Sequence, residues 1–257
     1  MTDPKQRFSS RVEKYSRYRP GYPKAVLKLL EAECGLTEGS IVADVASGTG
    51  LLAKLFMENG NRVFGVEPND EMRRAGERHL ERHGSFASVA GTAEATTLDG
   101  GSVDFVVVGQ AFHWFEPAST RSEFARILKP GGWVALLWND PRRDATPFLA
   151  AYERLLQSYK TEEYKEFDLE GEVGAFFGRG GYGYRVFRHR QTFDLAGLEG
   201  RVLSSSYVPD VGEPGYSAMM DELERVFKMH EEDGLVAIEY ETQVYYGRLG
   251  WVPHGVH

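Results

Sequence analysis

The chain is 257 residues long and 42% hydrophobic, enough for a sizeable core in one domain, or one domain with an extension. Its 30 Lys and Arg against 38 Asp and Glu give a formal charge of −8, which argues against gripping nucleic acid or anionic membrane through bulk charge. The single cysteine, Cys34, excludes an internal disulfide and any multi-cysteine metal site, and fits a reducing cytoplasm. No apolar run reaches the roughly 18 residues of a membrane span, and Met1 to Ser10 is polar rather than signal-like.

In chain order, Arg7 to Pro23 is basic and tyrosine-rich, and reads as a cap ahead of a helix at Ala25 to Cys34. Ile41 to Val45 reads as a buried strand, Leu51 to Glu58 as a helix, and Arg62 to Val66 as a second strand. A charged helix is expected from Asp70 to Arg82, then a weaker strand at Ser85 to Ala90. Val103 to Gly109 and Trp133 to Trp138 are further strands, with a helix at Ala118 to Leu128 between them. Continuous apolar strands separated by helices indicate a parallel sheet covered on both faces, a doubly wound α/β core. Such sheets bind ligands outside the carboxyl ends of their strands.

The second half begins with a helix at Pro147 to Lys160. Gly171 to Gly183 then holds six glycines in thirteen residues and reads as a mobile or sharply turning loop. Arg185 to Phe193 and Ala237 to Tyr246 read as strands, with helices near Leu195 to Leu203 and Ser217 to His230. The whole is expected to be one domain: a cap over 1–24, a ligand-binding core over 25–140, and sheet completion with an insertion over 141–257.

The chemistry concentrates in Asp44-Val-Ala-Ser-Gly-Thr-Gly50, between the first strand and its helix. Glycines there let the backbone approach a ligand and turn its N–H groups toward it. Taken alone, Gly48-x-Gly50-x-x-Ala53 also fits a dinucleotide pattern, with Glu67 at the end of strand two as the ribose-binding acid. The motif by itself does not separate nucleotide ligands.

The wider spacing is more specific. Val42 to Gly50, Val63 to Asn69, Gly91-Thr-Ala-Glu94 with Asp99 to Asp104, Gln110 to Phe115, and Arg126 to Gly132 occur in order. With them, the segment from about Phe8 to Asp140 resembles the class I S-adenosylmethionine-dependent methyltransferases, type 11 group. The resemblance implies a mostly parallel, seven-stranded Rossmann-like sheet with helices on both faces and one antiparallel strand near the C-terminal edge. It implies S-adenosylmethionine as cofactor and a cofactor site drawn from Asp44, Ala46, Ser47, Gly48, Gly50, Glu67, Pro68, Met72, Ala93, Glu94 and Gln110. Ala46 departs from the glycine more usual there, which makes the turn slightly less permissive.

In that scheme Gly48 and Gly50 leave room for the methionine portion and ribose, and Glu67 accepts both ribose hydroxyls. Asp44 holds the turn or meets the ligand's ammonium through water. Ala93 and Glu94 border adenine, Met72 packs on its face or in the core, and the Gln110 carbonyl receives the ammonium. Methyl transfer needs alignment and exclusion of water, with a base if the acceptor carries a proton. His113 is the candidate base, and equally a histidine that satisfies a backbone group. Trp114 and Asn139 are candidate walls of an acceptor pocket.

The stretch Tyr15-x-x-Tyr18-Arg19-Pro20-Gly21-Tyr22-Pro23 resembles the cap that precedes the core in relatives. Tyr15, Tyr18 and Arg19 would then close over the ligand, with Arg19 facing a carboxylate of cofactor or substrate, or pairing with a core acid as an anchor. Arg201, Ser205, Tyr207 and Tyr216 fall in an element expected to face the acceptor side, with no recognisable chemistry of its own. His79 and His83 lie four apart on a charged helix without a metalloprotease glutamate between them, so no metal site is expected.

The expectation is therefore a cytoplasmic methyltransferase acting on a small molecule, with neither nucleic acid nor membrane as partner. Two rivals stay open, a NAD-dependent oxidoreductase and a non-catalytic S-adenosylmethionine-binding protein. The first shares the glycine turn and Glu67 but lacks a Tyr-x-x-x-Lys at the expected strand end.

Overall fold

The computed structural model describes residues 12–81, 84–161 and 168–249. The beginning of the expected cap, the end of the charged helix at Arg82, and His83 lie outside them. In chain order the elements are α1 (Val12–Tyr18), α2 (Ala25–Cys34), β1 (Ile41–Val45), α3 (Leu51–Glu58), β2 (Arg62–Val66), α4 (Asp70–Leu80), β3 (Phe86–Val89) and β4 (Val103–Gly109). Next come α5 (Pro117–Ile127), β5 (Leu128–Pro141), α6 (Pro147–Ser158) and α7 (Leu169–Phe177). The chain continues with β6 (Gly183–Phe193), α8 (Leu195–Leu203), α9 (Tyr216–His230) and β7 (Val236–Gly247).

The strands form one seven-stranded sheet in the order β3-β2-β1-β4-β5-β7-β6. β1 pairs in parallel with β2 (Val42 against Val63) and with β4 (Val42 against Phe105). β2 pairs in parallel with β3, and β4 with β5, while one antiparallel pair lies at the edge. This is the Rossmann-like, mostly parallel architecture expected from the sequence.

Packing divides the described chain into two compact units. One comprises 21–139, 168–187 and 242–249, and the other 12–20, 140–161 and 188–241. In the first, alternate residues of each strand serve opposite faces. Val42, Phe105, Val107, Ala135 and Leu137 pack with α2 and α3, whereas Ala43, Val45, Val106, Val108, Val134 and Leu136 pack with α5 and α7. Burial on both faces is why these strands are continuously apolar rather than alternating. Each fully buried Val or Leu side chain contributes about 1.5–3 kcal/mol. The second unit has its own core, with Phe148, Tyr152, Leu155, Leu198, Val202, Leu223 and Tyr240 at its centre.

Two expectations need correction. The glycine-rich 171–183 stretch is not a loop throughout, because α7 occupies Leu169–Phe177 and a 3-10 turn spans Gly178–Gly180. Asp168 caps the helix by accepting from the Gly171 N–H, and Val173, Phe176 and Phe177 are buried. Spacing of i, i+3, i+4 puts these three on one face, and their burial outweighs the weak helix propensity of Gly171 and Gly174. The turn comes only at Gly178 and Gly181, both at positive φ.

β5 also starts five residues early, at Leu128 rather than Trp133. Its register against β4 slips between Val103, opposite Leu128, and Phe105, opposite Trp133. Lys129 to Gly132 are thus taken up within the strand as an irregularity. A Cβ at Gly132 would lie 2.9 Å from the Asp104 carbonyl oxygen, so the close approach of the two backbones requires glycine.

Candidate functional site

The sheet order reverses at β1, whose neighbours β2 and β4 lead in opposite directions, and in open α/β sheets such a switch point is where ligands bind, outside the carboxyl ends of the strands. The turn from β1 into α3 lies there. Ala46, Gly48 and Gly50 all have positive φ (57°, 55° and 81°). Only for Ala46 does this carry a Cβ penalty. The turn is tied down by Ser47 N–H to the Val66 carbonyl at 3.1 Å and Gly50 N–H to the Ser47 carbonyl at 2.8 Å.

Glu67, at the end of β2, accepts from the Gly48 N–H at 3.0 Å through Oε2 and from the Asn69 N–H at 2.9 Å through Oε1. The acid is buried, so these charge-assisted bonds are shielded from water. They fasten the glycine turn to the neighbouring strand. Pro68 and Asn69 carry the chain into α4, where Asn69 accepts from the Glu71 and Met72 N–H groups as an N-cap. Met72 is buried, and its methyl lies 3.7 Å from where a Gly48 Cβ would stand, so its contact is with the turn.

Asp44 is 1% exposed and accepts from the Ala53 N–H at 2.9 Å. Ala53 is in the first turn of α3, whose Gly50 cap offers no side chain. Asp44 therefore satisfies a helix N-terminal donor from a distance. Burial raises its pKa to about 8; the Ala53 N–H opposes the rise and the nearby Glu67 charge adds to it.

The loop after β3 presents Ala93, buried, and Glu94, half-buried, with Glu94 Oε1 accepting from the Glu116 N–H at 3.2 Å. Glu123 on α5 accepts from the Thr96 N–H at 2.8 Å and is paired with Arg126 at 2.7 Å. That arginine, against the opposing effect of burial, brings its pKa down to about 2, with help from Thr96. Thus the 93–97 loop is held by a charged group supplied from α5.

Gln110 ends β4 at positive φ (61°), with its N–H on the Leu137 carbonyl at 2.9 Å and Nε2 on the Asn139 carbonyl at 3.0 Å. Asn139 is buried and donates to the Gly21 carbonyl at 3.0 Å while accepting from Thr242 Oγ1 at 2.6 Å. Asn139 is thus a brace joining β5, β7 and the segment before α2. Tyr22, in that segment, lies over Gly109, where any Cβ would collide with its hydroxyl.

His113 sits on a 3-10 turn (Phe112–Trp114) just past β4, half-buried, with its ring 4.6 Å from that of Trp114. Burial lowers its pKa, which keeps the imidazole neutral at physiological pH. Trp114 is 44% exposed, whereas Phe112 beside it is core, edge-on to Phe115, Trp138 and Phe176.

The structure therefore gathers Asp44, Ala46, Ser47, Gly48, Gly50, Glu67, Pro68, Met72, Ala93, Glu94, Gln110, His113, Trp114 and Asn139 in one unit. Tyr15, Tyr18 and Arg19 belong to the other. There Arg19 lies over the Tyr15 ring at 5.2 Å and donates to the Ser204 carbonyl at 3.0 Å and Ser205 Oγ at 3.4 Å. Tyr18 packs against Gly200, where a Cβ would collide with its ring. Sequence reasoning named Asn69 and Tyr22 only as members of motifs, without a role, and missed Glu123. An asparagine directly before a charged helix was the available signal for the first, while the other two act through contacts distant in sequence.

Among the described residues, no group of His, Cys, Asp and Glu is arranged to hold a metal ion, and no helix is long and apolar enough to cross a membrane.

A family model described as a methyltransferase domain matches residues 43–136, from within β1 into β5. An uncharacterized methyltransferase of Mycobacterium tuberculosis is 41% identical over 133 residues, which cover 51% of this chain and 51% of its own. The chain thus spans about half the length of the mycobacterial relatives it matches. An uncharacterized methyltransferase of Schizosaccharomyces pombe is 26% identical over 225 residues, 86% of this chain and 87% of its own. A solved structure described as a putative type II methyltransferase from Anaeromyxobacter dehalogenans superposes with a TM-score of 0.68 at 20% identity, covering 92% of this chain and 100% of that one. At that identity the superposition speaks for the fold.

Proposed function

We propose that the chain transfers a methyl group from S-adenosylmethionine to a small-molecule acceptor by in-line displacement, a reading supported by the methyltransferase-domain model that matches residues 43–136. The observation that carries this reading is the Glu67 carboxylate, buried at the end of β2 and 3.0 Å from the Gly48 N–H. Each carboxylate oxygen there accepts from a backbone N–H, which fixes the acid against the glycine turn, and a carboxylate oxygen can accept from more than one donor, as the hydroxyls of a ribose would require. Gly48 and Gly50 hold the turn at positive φ, and a Cβ at Gly50 would collide with the buried Leu80 side chain. The residues present thus fit an adenosyl ligand.

When bound, the sulfonium supplies an electrophilic methyl group; the protein's part is to hold, orient and dry the reactants. Glu67 and the 46–50 turn fix the ribose, Ala93 and Glu94 border the adenine, and the Gln110 carbonyl receives the ammonium. His113, neutral through burial, accepts the acceptor's proton at a ring nitrogen. Trp114 and Asn139 border the acceptor side. The negative charge favours a small acceptor over nucleic acid or a membrane surface, and a lone buried cysteine fits the cytoplasm.

Thermal-shift measurements test the reading against its rivals. S-adenosylmethionine and S-adenosylhomocysteine should raise the Tm and NAD should not. Glu67→Gln should weaken S-adenosylhomocysteine by roughly 10-fold or more, the scale of a hydrogen bond to a charged group. Stabilisation by NAD alone would overturn the proposal, and binding without turnover on any acceptor would favour a non-catalytic role. With an identified acceptor, turnover should fall only below the ordinary imidazole value of 6.5. It should fall strongly in His113→Ala, and unchanged turnover there would remove His113 from the reaction.

A further inference from the structure

The unit formed by 12–20, 140–161 and 188–241 contains a cationic cluster of its own. Arg201, on α8, is 5% exposed. Helix periodicity places it in an otherwise apolar series with Leu198 and Val202, both fully buried. Its Nε donates to Tyr240 Oη at 3.2 Å, and its Nη1 lies 3.3 Å from Ser205 Oγ and 3.5 Å from Ser204 Oγ. Arg19 shares the same serines, through the Ser204 carbonyl at 3.0 Å and Ser205 Oγ at 3.4 Å. Two guanidinium groups thus converge on one pair of residues, and burial together with the Arg201 charge lowers the Arg19 pKa.

No described carboxylate bonds to either arginine; their partners are hydroxyls and a carbonyl. Two like charges, one buried and one half-buried, with no carboxylate among the described residues bonded to them, are unfavourable, since neutral acceptors return only part of the lost hydration. Three polar atoms of this unit are sealed from solvent with no bonding partner: Arg19 Nε, Tyr152 Oη and Gln191 Oε1. Tyr152 lies close enough to both arginines to feel their charges. The cluster therefore offers donors without a bonding partner from one guanidinium and one phenol, and two positive charges that no carboxylate among the described residues bonds.

We propose that Arg19 and Arg201, with Tyr152 and Ser205, form a binding site for a small molecule bearing a compact dianion, a dicarboxylate or a phosphate monoester. Guanidinium forks match the geometry of paired oxyanion oxygens. A doubly negative group would neutralise both cations and accept from Arg19 Nε and Tyr152 Oη. Arg19 is half-buried while Arg201 is buried, which gives the site an outer and an inner arginine. The site stands on this unit alone and requires no methyl donor.

The test uses the full chain without S-adenosylmethionine, titrated with malonate, succinate, glycerol phosphate and inorganic phosphate. Malonamide and sodium chloride at matched ionic strength serve as controls. The proposal expects a saturable Tm rise of roughly 5–10 °C at about a hundred times Kd, from the dicarboxylates or from the phosphates, and none from the controls. Which family of anions acts distinguishes the two sources. Arg19→Gln should weaken binding at least 10-fold, yet leave the ligand-free Tm equal to or above that of the wild type, because a buried like-charge repulsion is removed. A purely structural arginine pair predicts the reverse, a lower ligand-free Tm and no anion response to lose. Arg201→Met should abolish the response if it folds, and Arg19→Gln decides the matter if it does not. The proposal fails if no anion exceeds chloride, or if Arg19→Gln binds as the wild type does. Either failure would leave the methyl-transfer reading standing, since no methyl donor is present.

Discussion

Asp44 and Glu67 show how two nearby acids take different parts. Glu67 takes two backbone donors and fastens the glycine turn to β2; Asp44 accepts from one, at the α3 terminus. The raised Asp44 pKa has a consequence for stability. Its unfolded value lies near 3.8 and its folded value near 8, so the folded state alone holds the proton between them. That contribution is full below about pH 4 and is lost as pH rises through about 8, with a slope of up to about 1.4 kcal/mol per pH unit. Asp44→Asn keeps an acceptor for the Ala53 N–H and cannot ionise. Urea unfolding of the ligand-free chain should therefore show the wild type losing stability relative to Asp44→Asn from pH 5.5 to 8.5. Parallel pH profiles would show that Asp44 is not held protonated.

Among the elements, α7 is the one that composition misrepresents. Gly174 sits in its middle with nothing within 4 Å of a Cβ and no positive φ. Gly174→Ala should therefore stabilise the protein by about 0.5–1 kcal/mol in thermal or urea unfolding, as in any unobstructed helix. Were the segment a turning loop, the substitution would be neutral or harmful. On the buried side, Phe176 is 1% exposed and touches Phe112, Phe124 and Phe177 edge-on. Phe176→Ala should cost about 3–5 kcal/mol. Since Phe112 adjoins His113 on the 3-10 turn, the same change would loosen the support of the candidate base. β5 makes a related point: a Lys-Pro-Gly-Gly run reads as a turn, yet here it enters the strand because Gly132 lets the backbone approach Asp104.

For the whole molecule, charge and topology set the terms. With a formal charge of −8, the chain should pass unretained through heparin at about 150 mM salt, conditions in which a basic nucleic-acid binder is held. Retention would count against a small-molecule acceptor. The doubly wound sheet, its turn at 46–50 and the acid at Glu67 were legible in the sequence because each rests on a local signal: continuous apolar runs, paired glycines, an acid closing the second strand. The sequence likewise marked His113 and Gln110 at the end of β4, since strand ends follow directly from the apolar run.

What the sequence left open depends on contacts that span many residues. Asp44 as a remote cap for α3, Asn139 as a brace to Gly21 and Thr242, and Glu123 as the holder of the 93–97 loop each join segments the local pattern keeps apart. Arg201 reads as an ordinary charged helix residue until folding places Arg19, 182 positions earlier, on the same two serines. Periodicity and turn chemistry act over a few residues, so the sequence by itself determined which strands form and which residues stand at their ends. Only the tertiary structure decided which polar groups lose water together, because burial and long-range pairing are set by the packing of distant segments.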